Sequence, residues 1–417
     1  MAIRFAGIAD DLTGAVELAS YLVSAGVPAR VLTGLARAED AEGCPAPVFG
    51  LKVRTVTKAE ALKRVRAALD VLRPLAPRQI FYKYCATFDS TPRGNIGPLA
   101  DLLAAETGAE FTGFCPAFPE VERTVYRGHL FVNDALVSRS PKRFDPLTPM
   151  REPDLVRVLQ AQTPVPVGLI RNLDYRGGAF SVQARVAALR AAGVRYAICD
   201  ATGEADLQVL AEATVDWPLM TGGSSVAVYY PAIWRARGEI GPPESPALPR
   251  VEGPAAVLAG SCAERTDAQV RDFERHRPVL RLTVEEIMAG EETVERALAW
   301  SRQHLDDGPV TVATTSPPDQ VAAAQERFGR RRAAEAVEVA LGRIAVGLRQ
   351  QGVRRFLVAG GETSGAILDH LGVRALQSGP FDAPGMARTV SLDREPLSFH
   401  LKSGKLGPLD MFTQVTR

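Results

Sequence analysis

The stretch Ile3-Arg-Phe-Ala-Gly-Ile-Ala-Asp-Asp-Leu-Thr-Gly-Ala15 holds an apolar run, a turn and the start of an amphipathic segment. The run ends at Ala9, two acids follow at once, and Thr13-Gly14 leads into a segment, 14–25, with helical periodicity. That order is the strand-to-helix exit of an α/β unit. Such exits deliver loop residues to a crevice, and the next helix offers free N–H groups that suit anions. A second exit lies near the other end of the chain, Ala359-Gly-Gly-Glu-Thr-Ser-Gly-Ala366, uncharged apart from Glu362. One exit is acidic and the other glycine-rich, so they are expected to serve different ligands.

Working outward, apolar runs at 3–9, 48–53, 79–84 and 196–199 alternate with amphipathic stretches at 14–25, 59–72 and 182–192. Such alternation predicts βαβ units on a largely parallel sheet. The segment 241–250 carries four prolines (Pro242, Pro243, Pro246, Pro249), which neither a strand nor a helix interior tolerates, so it reads as an extended linker. Beyond it the rhythm restarts, with strands expected at 255–259, 310–314 and 356–359 and helices at 267–276 and 333–350. The expectation is an α/β protein of two α/β domains, 1–240 and 251–417. Between 111 and 166 the rhythm breaks into Pro- and Gly-punctuated pieces, as expected of a lid or binding loop.

The 417 residues are 46% hydrophobic, enough for two cores. Lys plus Arg (49) nearly balances Asp plus Glu (48), which argues against a nucleic-acid or membrane-surface partner and favours a small molecule. Five scattered cysteines form no Cys-x-x-Cys pair, no run approaches a membrane span, and a reducing cytoplasm is the expected location. Homo-oligomerisation is left open. The five histidines show no metal-ligand spacing, and the metal ligands are unknown at this stage.

Three segments could carry chemistry. Asp10 and Asp11 read either as carboxylates aimed at a substrate hydroxyl or metal, or as a helix N-cap with a first-turn acid. The loop Phe81-Tyr-Lys-Tyr-Cys-Ala-Thr-Phe-Asp-Ser-Thr-Pro-Arg-Gly-Asn-Ile-Gly-Pro98 brings Lys83 to a strand edge, then offers Thr87, Asp89, Ser90, Arg93 and Asn95. Cations there suit a carboxylate, and the other groups suit sugar-like hydroxyls. Arg54 could add a second cation. In the second half, Gly360 and Gly361 would let phosphates approach the backbone, with Thr363 or Ser364 capping the helix. The same turns could be plain strand-to-helix connections. Ala366-Ile367 stands where a Walker loop needs Lys-Ser/Thr. Ser224 lacks the surroundings of a nucleophile elbow and reads as a cap or a substrate ligand.

These segments, with Gly128-His-Leu-Phe-Val132, Pro146-Leu-Thr-Pro-Met150, Gly260-Ser-Cys262 and Leu401-Lys-Ser-Gly404, resemble the four-carbon acid sugar kinase family in order along nearly the whole chain. The resemblance implies an N-terminal acid-sugar-binding domain, a C-terminal nucleotide-binding domain and an active site in the cleft between them. It implies transfer of the γ-phosphate of Mg²⁺-bound ATP to the 4-hydroxyl of a four-carbon acid sugar. The loop at 85–98 and the Pro-Leu-Thr-Pro-Met segment look most like members acting on 3-oxo-tetronates; other members take threonate or erythronate. By the same resemblance Ser261, Ala359, Gly360, Gly361, Glu362, Thr363 and Gly404 would hold ATP. Asp10, Arg54, Lys83, Thr87, Asp89, Ser90, Arg93 and Asn95 would hold the acid, with Asp10 or Asp11 as the catalytic carboxylate. The chain departs from the family pattern at Ala86, where Ser is usual, at Asp145, where His is usual, and at Lys405-Leu406, where Asn-Phe is usual.

Overall fold

The computed structural model describes residues 3–145, 147–244, 247–316, 318–383 and 386–416. Pro146 of the Pro-Leu-Thr-Pro-Met segment and Ser245 and Pro246 of the proline-rich stretch lie outside the described residues. The chain forms two compact units, Met1–Arg30 with Ala41–Ser245, and Val31–Asp40 with Pro246–Arg417.

In the first unit β1 (Phe5–Ala9), β2 (Ala46–Gly50), β3 (Gln79–Lys83), β4 (Thr112–Cys115), β5 (Val167–Ile170), β6 (Tyr196–Cys199) and β7 (Leu219–Gly222) form a parallel sheet. Their order is β2-β1-β3-β7-β4-β6-β5. Every residue of β1, β2 and β3 is buried, as a sheet covered on both faces requires of its apolar runs. Phe5, Phe81, Tyr230 and Trp234 pack edge and face beneath it, with the Phe5 centroid 5.9 Å from Phe81 and 6.0 Å from Trp234. The chain leaves β1 for β2 on one side and returns to β3 on the other. The carboxyl end of β1 is therefore a topological switch point, the crevice where open α/β sheets bind ligands.

Two of the boundaries that differ from the sequence expectation lie at this switch point. β2 stops at Gly50 instead of 53, because the Leu51 and Val53 N–H groups turn to the Ala9 and Asp10 carbonyls (3.0 and 3.1 Å). The freed loop carries Arg54. Helix α1 (Leu12–Ser24) begins two residues early, because Asp11 caps it. The segment 111–166 is also more regular than its punctuation implies. It contains β4, a small antiparallel sheet of Arg123–Tyr126, His129–Val132 and Ala135–Leu136, and a 3-10 turn at Pro141–Phe144. The hairpin turn is anchored by buried Asp200, which accepts from the Arg127 and Gly128 N–H groups at 2.8 Å each.

In the second unit β8 (Ala255–Ala259), β9 (Val279–Arg281), β10 (Val310–Ala313), β11 (Arg355–Ala359), β12 (Ala375–Ala383), β13 (Met386–Ser391) and β14 (Ser398–Lys402) run in the order β9-β10-β8-β11-β14-β13-β12. The first five in that order are parallel and the last two antiparallel. The chain moves from β8 outward to β9 and β10, then returns to β11 on the other side, so β8 and β11 flank a second switch point. Its core joins Val257, Val270, Phe273, Leu357, Met411 and Phe412. Val31–Asp40 belongs here because Thr33 bonds the Val373 and Arg374 carbonyls and Arg374 pairs with Glu39 and Asp40. The proline-rich stretch is held at both ends: Glu244 N–H bonds Gly26 O in the first unit, and Pro249 O accepts from Arg388 in the second.

Candidate functional site

At the first switch point β1 delivers Asp10, 3% exposed, and the loop after β2 delivers Arg54. Arg54 grips Asp10 with two hydrogen bonds of 2.8 Å, Nε to Oδ2 and NH2 to Oδ1. The same guanidinium lies 2.7 Å from Asp11 and 4.0 Å from Asp89. Two adjacent buried carboxylates are tolerated because a forked cation neutralises both. Asp11 also shapes the backbone. Its Oδ1 accepts the Gly14 N–H at 2.5 Å and the Thr13 hydroxyl at 3.1 Å, which makes it the N-cap of α1. Burial pushes Asp10 above its ordinary value against the pull of Arg54. Burial acts on Asp11 in the same direction, but Arg54, Lys83 and the Gly14 N–H together hold it below. The two neighbours thus have separable roles.

β3 brings Lys83 to the same crevice. Its stem crosses Gly14 so closely that a β-carbon there would lie 2.7 Å from Nζ. Lys83 sits 3.3 Å from Glu17, whose Oε1 also accepts from the buried Ser224 hydroxyl at 2.6 Å. Ser224 is thus tied to an acid on α1. Beyond Lys83, Phe88 adopts a left-handed backbone (φ 51°) with its ring buried against Tyr84. Packing over-determines that strained turn, which aims Thr87 and Asp89. Thr87 donates to Asp89, and Asp89 meets Lys142 at 2.7 Å.

The structure sorts the remaining loop residues. Asn95 commits its amide to the Val53 and Val56 carbonyls (2.7 and 2.9 Å) and so fixes the loop that carries Arg54. Ser90 accepts from Gln162 at 2.8 Å, and that glutamine also accepts the Gly97 N–H. Both are supports of the loop. Arg93 is exposed. Sequence reasoning missed Lys142 and Glu17. Lys142 stands on the 3-10 turn at Pro141–Phe144, is buried, and bridges Asp89 to Asp145 at 2.8 Å. No local pattern marks it, since only the fold brings it to Asp89. Asp145 is its second partner.

In the second unit the exits of the adjacent strands β8, β11 and β14 converge. The Gly260 and Ser261 N–H groups share the Ala359 carbonyl at 3.1 Å each, and Gly360 N–H bonds the Lys402 carbonyl at 3.0 Å. Gly360 has φ 129°, a conformation open to glycine. A β-carbon at Gly260 would collide with Thr363 Oγ1, and one at Gly404 would collide with Ser261 Oγ. The glycines therefore let three turns close on one another. Helix α2 (Gly361–Leu371) starts here with no side chain capping it, contrary to the expectation for Thr363 or Ser364; Ser364 bonds the Gly360 carbonyl at 2.7 Å instead. Uncapped first-turn N–H groups remain for an anion. Ser261, Gly360, Gly361, Thr363 and Gly404 share this corner, with Glu362 in the first turn of α2.

Lys402 belongs to the same corner and was not singled out in sequence. It is fully buried, and its Nζ donates to Thr266 Oγ1 at 3.0 Å, with the Gly404 carbonyl at 3.5 Å. Thr266 donates to that same carbonyl at 2.7 Å. The lysine thus pins the turn of Gly404 to helix α3 (Glu264–Glu274). Burial, with nearby Arg265, lowers it to about 7.

Two outcomes are expected. Arg54→Met leaves Asp10 and Asp11 without their counter-ion and should cost about 3–5 kcal/mol in urea unfolding at pH 7. The loss should shrink near pH 4, where the stranded carboxyls take up protons; an equal loss at both pH values would contradict the pairing. For Lys402 the folded value lies below the ordinary 10.5, so the unfolded chain binds the extra proton and this lysine makes stability rise with pH from about 7 to 10.5. The difference in thermal midpoint between the native chain and Lys402→Met, followed from pH 7 to 10, should therefore change in favour of the native chain as pH rises.

Comparison with known proteins bears on both units. A family model described as a sugar-binding N-terminal domain matches residues 5–230, and one described as a nucleotide-binding C-terminal domain matches 256–412. The 3-oxo-tetronate kinase of Pseudomonas fluorescens is 48% identical over 411 residues, covering 98% of this chain and 95% of its own. That of Burkholderia multivorans is 47% identical, with 98% and 96% covered. A crystal structure of Haemophilus influenzae protein HI1011 is 36% identical, with TM-score 0.77 and 98% of each chain covered, and one from Salmonella typhimurium LT2 is 35% identical with TM-score 0.86 and 99% of each. Matched in both halves and along its whole length, the chain belongs to the two-domain, four-carbon acid sugar kinase family.

Proposed function

We propose that this protein transfers the γ-phosphoryl group of ATP to the 4-hydroxyl of a 3-oxo-tetronate, a 3-dehydro-L- or 3-dehydro-D-erythronate, giving the 4-phosphate. The observation that carries the reading is the carboxylate and cation cluster at the first switch point, Asp10 with Arg54, Lys83 and Asp89, in a chain nearly half identical to named 3-oxo-tetronate kinases. Carboxylates and hydroxyls suit the substrate's hydroxyls, and cations suit its carboxylate. The second unit offers what a triphosphate needs: the glycine turn at Gly360-Gly361 with the Ser261 and Thr363 side chains beside it, and a helix start with open N–H groups.

Phosphoryl transfer demands position and charge neutralisation more than covalent help. Asp10 is the proton acceptor in this reading, because it stands free of the helix cap that engages Asp11 and burial raises it above its ordinary value, which makes it the stronger base of the two. Asp11 keeps the helix start and the Arg54 fork in place. Exposed Arg93 is the cation that meets the acid group, Lys83 adds its field from inside the crevice while paired with Glu17, and Thr87 and Asp89 take hydroxyls.

Among the described residues no group of three His, Cys, Asp or Glu side chains could hold a metal unaided. Magnesium carried mainly by phosphate oxygens needs only one or two carboxylates, and Glu362 beside the glycine turns fits that need. Such an ion would neutralise charge developing on the phosphates. The reading extends to cytoplasmic location, in keeping with free cysteines at all five positions.

A second substrate class is favoured by one observation: Asp145 stands in place of the family's histidine and pairs with Lys142, which itself holds Asp89. D-Threonate or D-erythronate is that alternative.

A coupled ATP assay across 3-oxo-tetronates, threonate and erythronate should give the highest kcat/KM with a 3-oxo acid. Asp10→Asn should lower kcat at least about 100-fold. Asp11→Asn, which still caps α1, should lower it less. Preference for threonate or erythronate would overturn the substrate, and no turnover on any acid would overturn the kinase reading.

A further inference from the structure

The amino-terminal edge of the second unit's sheet carries a cavity that the proposed reaction does not use. Its volume is about 250 Å³, somewhat under the ~300–1,000 Å³ of drug-sized ligand sites, so it suits a small molecule. Ala255, Arg355 and Ser398, the first residues of β8, β11 and β14, stand side by side in register and line it. The glycine turns follow the last residues of the same strands, Ala259, Ala359 and Lys402. At roughly 3.3 Å per residue, about 13 Å of strand separates the cavity from that corner.

Register also sets Leu357, His400 and Arg388 abreast on β11, β14 and β13, on the face that Arg355 and Ser398 share. Val251, Ala255, Leu357 and Val415 give the cavity apolar lining. Its polar lining is cationic: Arg250, Arg355 and Arg388 stand with His400, and none of the described lining residues is acidic. Arg388 is fixed by neutral groups, its Nε donating to Ser398 Oγ at 3.3 Å and its NH2 to the Pro249 carbonyl. Arg355 is braced by the Gly253 and Thr416 carbonyls at 3.0 and 3.4 Å. Arg250 meets Glu252 at 3.6 Å with both side chains in solvent, where an ion pair holds weakly. Among the described residues no group hydrogen-bonds the His400 ring. Burial, with Arg388 and Arg355 beside it, lowers that ring to about 4, so it is a neutral donor at pH 7.

We propose that this cavity binds a small phosphate monoester, its phosphate held by Arg388, Arg250 and His400 and its carbon skeleton laid on the apolar residues. Guanidiniums in a lining without carboxylates keep forked donors for an outside anion, and a phosphate has oxygens for more than one fork. The first unit's crevice shows the contrast, because Arg54, Lys83 and Lys142 each serve a protein carboxylate there. A monoester carries nearly about two negative charges at neutral pH and so answers this positive field better than a single carboxylate. Placed at the amino ends of strands whose carboxyl ends carry the glycine turns, the site is suited to an effector and not to a reacting group.

The test is NMR of the full chain labelled with 13C in its five histidine rings, with His400→Asn identifying the signal that belongs to the cavity. Titration with glycerol 3-phosphate at constant ionic strength should shift the His400 signal saturably. Arg388→Gln should weaken that binding at least about tenfold, as loss of a hydrogen bond to a charged group predicts, and exposed Arg250→Gln about threefold. Because Arg250 packs against nothing, its variant keeps the test open if Arg388→Gln does not fold. Inorganic phosphate and malonate should each bind more weakly than the ester. A His400 signal that does not move, or native affinity in both arginine variants, would overturn the site. Inorganic phosphate as tight as the ester would overturn the place given to the carbon skeleton, and malonate as tight would overturn the choice of phosphate.

Discussion

Two carboxylates in succession at the end of a buried strand are the constraint around which the first unit is arranged. Asp10 and Asp11 cannot both stay ionised in a low-dielectric crevice without a shared cation. Arg54 supplies it, and much of the local structure serves to hold Arg54. β2 ends early so that residues 51–54 can fold back onto the Ala9 and Asp10 carbonyls, and Asn95 clamps that loop from the other side through Val53 and Val56. A residue expected to touch substrate turns out to hold the residue that neutralises the site.

The second unit meets a different constraint with different means. Where the first unit balances charge, the second removes side chains. Gly260 and Gly404 leave room that the Thr363 and Ser261 side chains fill, and Gly360 supplies the positive φ that its turn requires. The polar group buried behind this corner, Lys402, is committed to Thr266 and the Gly404 carbonyl. Both units gather their candidate loops at the carboxyl end of the strand where the sheet order reverses, so one topological rule organises two unlike sets of residues.

The α/β rhythm was legible because buried parallel strands read as short apolar runs and the intervening helices are amphipathic, and those signals are local. β6 and β8 begin and end where their apolar runs do. The antiparallel strands β12 and β13 were not anticipated, because their residues mix Arg, Gln and Asp with apolar ones and their burial comes from packing across the sheet. The candidate residues Asp10, Arg54, Lys83 and Asp89 were legible as polar groups at strand exits, and they do meet. Lys142 was not, since it comes from an insertion whose path no periodicity describes. Nor could the sequence separate Asp10 from Asp11. That distinction depends on which carboxylate receives the Gly14 N–H, a matter of backbone geometry.

The balance of charge in the first crevice limits how an acidic substrate can be recognised. Arg54, Lys83 and Lys142 face Asp10, Asp11, Glu17, Asp89 and Asp145, so the cations are outnumbered before any substrate arrives. A sugar acid adds another negative charge. Its carboxylate is therefore poorly served by the centre of the crevice, where each of these cations already serves protein carboxylates. In the proposed reading exposed Arg93, on the loop after β3, meets it at little desolvation cost, and the hydroxyl end of the molecule is left for Asp10. Under the proposed function, an anionic substrate entering this acid-rich crevice is thus oriented by repulsion as well as by attraction, its carboxylate outward and its terminal hydroxyl toward Asp10.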